Sequence, residues 1–269
     1  IEGRADIEKL TSLPVVGDIP LADEKSGSIA VFENQNNLMS ETFRNVRTNL
    51  QFMLERDKNV ILVTSTISGE GKSFISANLA VSLSLLGKTV VIVGLDIRKP
   101  GLNKVFNIPK KEHGITQFLT NPSMNLMDLV QPSDINRNLF ILPGGAVPPN
   151  PTELLARDGL EKAIETLKTN FDYVILDTAP VGMVTDTLLI GRTADLSVYV
   201  CRADYTRKAE FILVNELSEN NKLPNLCVVI NGLDFQKKKY GYYHGYGKYG
   251  KYYGYGKRYG YGYGYGKEK

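Results

Sequence analysis

Cysteine is scarce in this 269-residue chain: Cys201 and Cys227 are its only two, each inside an apolar run ("LSVYVCRA" and "NLCVVING"). A disulfide framework needs more of them, so the pair reads as reduced, buried thiols of a cytosolic protein. Long apolar runs are missing too. None reaches the roughly 18 residues that span a bilayer, and the nearest approach, "NLAVSLSLLGKTVVIVGLD", is interrupted by Lys88. No signal-peptide pattern opens the chain. The first residue is Ile1, and the expectation is a piece of a longer protein whose remainder could hold membrane segments. The opening "IEGR" matches a protease-cleavage sequence and is given no weight. Acid is nearly absent from residues 236–269, where eight lysines and one arginine face only Glu268. That segment carries +8, which leaves −5 on the other 235 residues of a chain whose total is +3. The tail is a separate electrostatic object.

With 42% hydrophobic and 23% charged residues, the chain suffices for one large α/β domain with attachments. Residues 1–38 lack sustained periodicity and are expected to be a linker. "LMSETFRNVRTNLQFMLE" is amphipathic at helical spacing, with Phe43, Val46, Leu50 and Met53 on one stripe. From there to residue 235, short apolar runs ("NVILVTST", "TVVIVGLD", "NLFILPG", "DYVILDT", "LSVYVCRA", "NLCVVING") alternate with helical patterns. Alternation of this kind predicts βαβ crossovers and a mostly parallel sheet with helices on both faces. After residue 235 the pattern stops.

The first of those runs leads directly into "STISGEGKS", which opens a helix. A strand, a glycine loop and a helix N-terminus in that order converge backbone N–H groups on an anion, which defines a P-loop. Gly69 and Gly71 let the backbone approach phosphate oxygens without a Cβ in the way. Lys72 would place a point charge on the β- and γ-phosphates, and Ser73 would offer its hydroxyl to Mg²⁺. Ser68, Glu70 and Phe74 complete the expected nucleotide-binding set. Thr66 stands where the usual pattern has glycine, so the loop is a variant.

Two other strand ends carry carboxylates: Asp96 in "VVIVGLDIRKP" and Asp177 in "FDYVILDTAP". Ligands of parallel sheets bind at the carboxyl ends of strands. Either acid alone could simply cap the next helix. Two beside a P-loop suggest a shared cation, and Mg²⁺ takes hard oxygen ligands directly or through water. Asn231, in "VVING", reads as a turn residue, or, by its similarity to the asparagine that related ATPases carry there, as a reader of the adenine edge. Glu41, Arg44 and Arg47 are spaced by three along one helix face, which by composition alone reads as a solvated, salt-bridged surface.

Twelve of the fifteen tyrosines lie in the tail: Tyr240, Tyr242, Tyr243, Tyr246, Tyr249, Tyr252, Tyr253, Tyr255, Tyr259, Tyr261, Tyr263 and Tyr265. Ten glycines separate them, so the segment cannot bury a core and its tyrosines serve something other than packing. A flexible segment of this length has an r.m.s. span of about 30 Å, enough to reach a neighbouring subunit.

The variant Walker A "SGEGKS", the Walker A′ "VIVGLDIRKP" and the Walker B "VILDTAP" together resemble the bacterial tyrosine kinases (BY-kinases), the Wzc-type regulators of polysaccharide export. The resemblance extends over roughly residues 8–269. It includes a proline-rich loop ("PGGAVPPNPTELL"), the Glu-x-x-Arg-x-x-Arg element Glu41–Arg44–Arg47 and the tyrosine-rich C-terminus. It implies a P-loop NTPase fold and an ATP- and Mg²⁺-dependent protein-tyrosine autokinase. Lys72, Asp96 and Asp177 would be its catalytic residues, Ser73, Asp96 and Asp177 its metal ligands, and the tail tyrosines its acceptors. Glu41, Arg44 and Arg47 would make the contacts of a ring homo-oligomer, an octamer in better-known members. Further implied are a cognate tyrosine phosphatase, a transmembrane polysaccharide co-polymerase segment, a place on the cytoplasmic face of the bacterial inner membrane, and no nucleic acid.

The family pattern usually carries a second acid at the position of Gly94, which leaves Asp96 as the only nearby carboxylate in that motif. Two rival readings are a partitioning-type dimeric ATPase and an ATP-dependent scaffold whose basic aromatic tail binds single-stranded nucleic acid. The first usually has lysine where Ile67 stands, and it leaves the tail unexplained. The second predicts salt-dependent oligonucleotide affinity.

Overall fold

Runs such as "VILVTS" have no polar face to offer solvent, so they can be strands only where helices cover both sides of a sheet. The computed structural model describes residues 1–22, 27–33, 37–109 and 113–235. In chain order its elements are α1 (Arg4–Leu10), β1 (Val15–Pro20), α2 (Leu38–Met53), β2 (Val60–Ser65), α3 (Lys72–Ser84), β3 (Val90–Gly94), α4 (Leu102–Val105) and α5 (Ile115–Thr120). There follow β4 (Gln131–Pro132), β5 (Leu139–Leu142), α6 (Pro151–Leu155), α7 (Gly159–Asn170), β6 (Tyr173–Asp177) and α8 (Asp186–Gly191). The last are β7 (Leu196–Arg202), α9 (Lys208–Phe211), α10 (Leu213–Glu219) and β8 (Leu226–Leu233). The strands form one sheet in the order β1-β8-β7-β2-β6-β3-β5-β4. It is parallel except where β4 runs antiparallel to β5 at one edge. This is the mostly parallel α/β architecture that the alternation predicts.

Every residue of β2 is buried. Ile61 and Val63 join a core shared with Phe43, Val46 and Leu50 of α2 and with Ile75, Leu79 and Leu83 of α3. Phe43, Val46 and Leu50 are buried as the stripe predicts, and Met53 packs partly buried against the same core. The Asn37 side chain caps α2 by accepting from Ser40 N at 2.8 Å. Cys201 and Cys227 are free and buried, and burial pushes both thiols up.

Residues 1–38 depart from the linker expectation. Their described part contributes α1 and an edge strand, β1, which pairs in parallel with β8 (Val15↔Val228, Asp18↔Ile230). Gly17 and Pro20 hide this strand from pattern reading. A Cβ on Gly17 would stand 2.2 Å from Val46 Cγ2, so glycine is what lets α2 settle on the strand. Carbonyls along this edge find partners: Arg4 donates to Val15 O (3.0 Å) and Asn49 to Val16 O (2.8 Å). Arg4, discounted in the sequence, also pairs with Asp18 at 3.0 Å. No helix among the described residues is long and apolar enough to cross a membrane. The acceptor cluster from Tyr240 to Tyr265 lies outside the described residues.

Candidate active site

The loop 66–71 connects β2 to α3, and two of its glycines adopt the left-handed region that other residues rarely enter: Gly69 (φ 91°) and Gly71 (φ 94°). A Cβ on Gly71 would meet Asn231 Nδ2 at 2.0 Å, and one on Gly69 would meet the Tyr205 hydroxyl at 2.7 Å. A side chain at either position would be strained and would have to displace its neighbour. Gly71 is the N-terminal cap of α3, so the helix begins at Lys72 with its free N–H groups at the end of the loop.

Three strand ends meet there. Leu95 N and Asp96 N, just past β3, both donate to Asp177 O at the end of β6 (2.8 and 3.0 Å), which fastens the two acid-bearing segments side by side. Lys72 Nζ pairs with Asp96 Oδ2 at 3.2 Å, and Asp96 Oδ1 accepts from Lys99 N at 3.0 Å. Ser73 Oγ donates to Asp177 Oδ2 at 2.7 Å, and the Ser76 hydroxyl lies 3.0 Å from Asp177 Oδ1. Burial lifts the Asp177 carboxyl to about 6, with the charge of Asp96 adding to the rise. Lys72 and the two serine hydroxyls pull the other way and are outweighed.

The predicted residues Lys72, Ser73, Asp96 and Asp177 are thus brought together, whereas others of the predicted set turn elsewhere. Glu70 points inward and is fully buried. Its Oε2 accepts from Ile67 N (2.7 Å) and its Oε1 from the Thr206 hydroxyl, so the side chain braces the loop and only its main chain could meet a phosphate. Burial raises its carboxyl despite the donors around it. Phe74 packs edge-on against Phe43. Asn231 donates to Glu70 O at 2.9 Å, which makes it a support of the loop. In the Glu-x-x-Arg-x-x-Arg element, Glu41 and Arg44 pair with each other. Arg47 is partly buried and reaches Ser82 O of α3 at 2.7 Å, so it is not purely solvated.

Two further groups of residues surround this site without belonging to any of the predicted motifs. Tyr205 donates to Ser68 O (2.9 Å), and Arg202, lying over the Tyr205 ring, donates to Gly69 O (3.0 Å). Arg202 ends β7 and Tyr205 follows it in "CRADYTRK", where the rule that ligands gather at carboxyl strand ends points. Arg98 forms a two-pronged pair with Asp186 (2.7 and 3.0 Å) and touches Thr152 Oγ1 (2.8 Å), which pins the loop after Asp96 to α6 and α8. Burial pushes Asp186 up, but hydrogen bonds from Arg98 and Thr152 and the charge of Arg98 more than offset it and hold the carboxyl below its ordinary value.

The donor set suits a phosphate-bound cation. Ser73, Asp96 and Asp177 offer hard oxygens, and one lysine faces two buried acids, of which Asp177 is held above its ordinary value by burial despite Lys72. Among the described residues no group of three or more His, Cys, Asp or Glu is arranged for a metal. A cation here would complete its shell with ligand oxygens and water, as Mg²⁺ does beside phosphates.

A left-handed glycine loop, a lysine at a helix N-terminus and acids on adjoining strand ends define a P-loop nucleotide-binding α/β protein. A model of the AAA domain matches residues 58–208. The chain is 34% identical to tyrosine-protein kinase CpsD of Streptococcus agalactiae over 77% of this chain and 89% of that one. It is 33% identical to tyrosine-protein kinase YwqD of Bacillus subtilis (strain 168) over 80% and 91%. Among solved structures, the kinase domain of Escherichia coli tyrosine kinase ETK superposes with a TM-score of 0.77 at 25% identity, covering 91% of this chain and all of that one. The chain belongs to the bacterial tyrosine-protein kinase family.

Proposed function

We propose that this chain is an ATP-dependent protein-tyrosine autokinase that transfers the γ-phosphoryl group of Mg·ATP to its own C-terminal tyrosines. The acceptors are those between Tyr240 and Tyr265, reached in trans within a ring of copies. Lys72 leaves Asp96 to meet the β- and γ-phosphates. Ser73, Asp177 and Asp96 would hold Mg²⁺ directly or through water. When bound, that ion neutralises charge developing on the phosphoryl oxygens. The loop amides from Ser68 to Phe74 orient the triphosphate in line with the incoming phenol.

A second acid in the Walker A′ motif would press on the neighbouring main chain here, since a Cβ on Gly94 would lie 3.0 Å from Gly144 N. Asp96 remains the nearby carboxylate. Phosphoryl transfer rests mainly on positioning and charge neutralisation, so one acid suffices.

The setting is polysaccharide synthesis and export at the cytoplasmic face of the bacterial inner membrane. There the kinase acts beside a transmembrane co-polymerase component and is reversed by a cognate phosphatase. Each phosphotyrosine adds about −1.5 to −2, so four or five cancel the +8 of the tail and loosen the ring.

One observation carries the reading: Lys72, Ser73, Asp96 and Asp177 converge in a member of this family that concentrates twelve of its fifteen tyrosines at one end. The test is to incubate the full chain with Mg·ATP and probe for phosphotyrosine, with Lys72→Met alongside. Phosphotyrosine in the wild type alone is the expected result. ATP hydrolysis that leaves the tail unmodified refutes it.

A further inference from the structure

Three tyrosines lie outside the C-terminal cluster. Tyr199 is fully buried with its hydroxyl 2.6 Å from Thr66 Oγ1, and Tyr173 is half-buried and accepts from Gln51. Tyr205 is 46% exposed. Its hydroxyl donates to Ser68 O, and the Arg202 guanidinium lies 5.3 Å from its ring centroid while donating to Gly69 O. One tyrosine and the arginine stacked on it therefore hold two consecutive carbonyls of the nucleotide loop from outside.

We propose that Tyr205 is itself a phosphorylation site whose phosphate shifts the nucleotide loop to a weaker-binding state. The inference rests on the kinase reading above. The donor is ATP bound to a copy of this chain. Tyr205 Oη forms a bond to the γ-phosphorus, the bond from that phosphorus to the β,γ-bridging oxygen breaks, ADP leaves with the electron pair, and the phenolic proton passes to solvent. Among the described residues one hydrogen bond and the Arg202 contact hold this ring, and nearly half of the residue already faces solvent, so the ring can swing out to be modified.

The consequence follows from what the phosphate displaces. It replaces the proton donated to Ser68 O and sets a dianion against that carbonyl. It also offers Arg202 a two-pronged, charge-assisted partner, which competes with Gly69 O for the same guanidinium. Gly69 sits against the Tyr205 hydroxyl at φ 91°, so the curvature of the loop leans on this ring. The bonds of Glu70 to Thr206 and of Asn231 to Glu70 O remain. The loop loosens without unfolding, and a new negative charge stands beside a site built for polyphosphate.

The experiment uses the full chain, phosphorylated with Mg·ATP and digested with trypsin, with mass spectrometry of peptide 203–207 alongside the tail peptides. Phosphate on Tyr205, absent from the Lys72→Met chain, is expected. Mg·ADP affinity is then compared between this sample and a Tyr205→Phe chain phosphorylated equally on its tail, and the Tyr205-phosphorylated protein should bind several-fold more weakly. A phosphorylated tail with an unmodified 203–207 peptide overturns the inference and leaves the kinase reading standing. No phosphotyrosine anywhere overturns both. Phosphate on Tyr205 with equal Mg·ADP affinity refutes the switch.

Discussion

Asp177→Asn should make the ligand-free protein more stable and at the same time deprive it of function. Burial lifts the Asp177 carboxyl from 3.8 to about 6. Each tenfold change in proton affinity is worth about 1.4 kcal/mol, so the charged carboxylate costs the fold about 3 kcal/mol. The sign follows from a folded-state value above the unfolded one. Stability is full below about pH 3.8, is lost as pH rises through about 6, and is flat beyond. The asparagine variant lacks this dependence. Its amide can accept from only one of the Ser73 and Ser76 hydroxyls, which reduces the gain to about 1–3 kcal/mol above pH 7. At about 2–4 °C per kcal/mol for a domain of this size, the melting temperature should rise by several degrees at pH 8. By pH 5, where much of the wild-type carboxyl is already protonated in the folded state, the gain should fall to about half. Mg·ADP should stabilise the wild type and not the variant, whose amide has no charge to hold the cation. The assay is a set of thermal melts at pH 5 and pH 8 with and without Mg·ADP. A variant no more stable than wild type at pH 8, or one whose gain is the same at both pH values, refutes the account of Asp177.

Transfer between copies is checked by mixing a Lys72→Met chain that keeps its tail with an active chain lacking residues 236–269; phosphotyrosine should appear on the inactive chain, and its absence rules out trans phosphorylation. Gly71→Ala forces a left-handed alanine into Asn231 and should cost about 1–3 kcal/mol from backbone strain alone. Nucleotide-induced stabilisation, measured by thermal shift, should be lost as well. Arg98→Ala strands the buried Asp186, but Arg98 is itself 38% exposed, so denaturant melts should show about 1–3 kcal/mol, short of a fully buried pair. Because Asp186 is depressed in the fold, that loss should be complete at neutral pH and fade as pH falls below the ordinary carboxylate range. Phosphatase treatment should enlarge the oligomer by restoring the positive tail, and an unchanged mass in light scattering contradicts the charge switch.

The parts legible in the sequence were those whose signal is contiguous. "NVILVTST" running into "SGEGKS" and then an apolar helix announces strand, loop and helix in one stretch, and Asp96 and Asp177 each end an apolar run. What escaped was set by partners far along the chain. β1 looked like linker because its strand character comes from β8, more than 200 residues away, and from a glycine that admits Val46. Arg47 shares its spacing with Glu41 and Arg44, yet its partner is a carbonyl of the adjacent helix, 35 residues on.

By itself, then, the sequence determined the alternation of strands and helices from β2 to β8, the loop able to curl around a phosphate, the acids at strand ends and the sharp change of charge at residue 236. Each of these depends on residues within a few positions of one another. Tertiary structure alone decided that Asp96 and Asp177 lie side by side, that burial lifts one carboxyl to about 6, and that Tyr205, Arg202 and Asn231 clasp the loop from strands that follow it by more than 130 residues. The physical reason is that desolvation and cross-sheet hydrogen bonds are properties of neighbours in space, and the strand order β8-β7-β2-β6-β3 makes neighbours of segments that no local pattern connects.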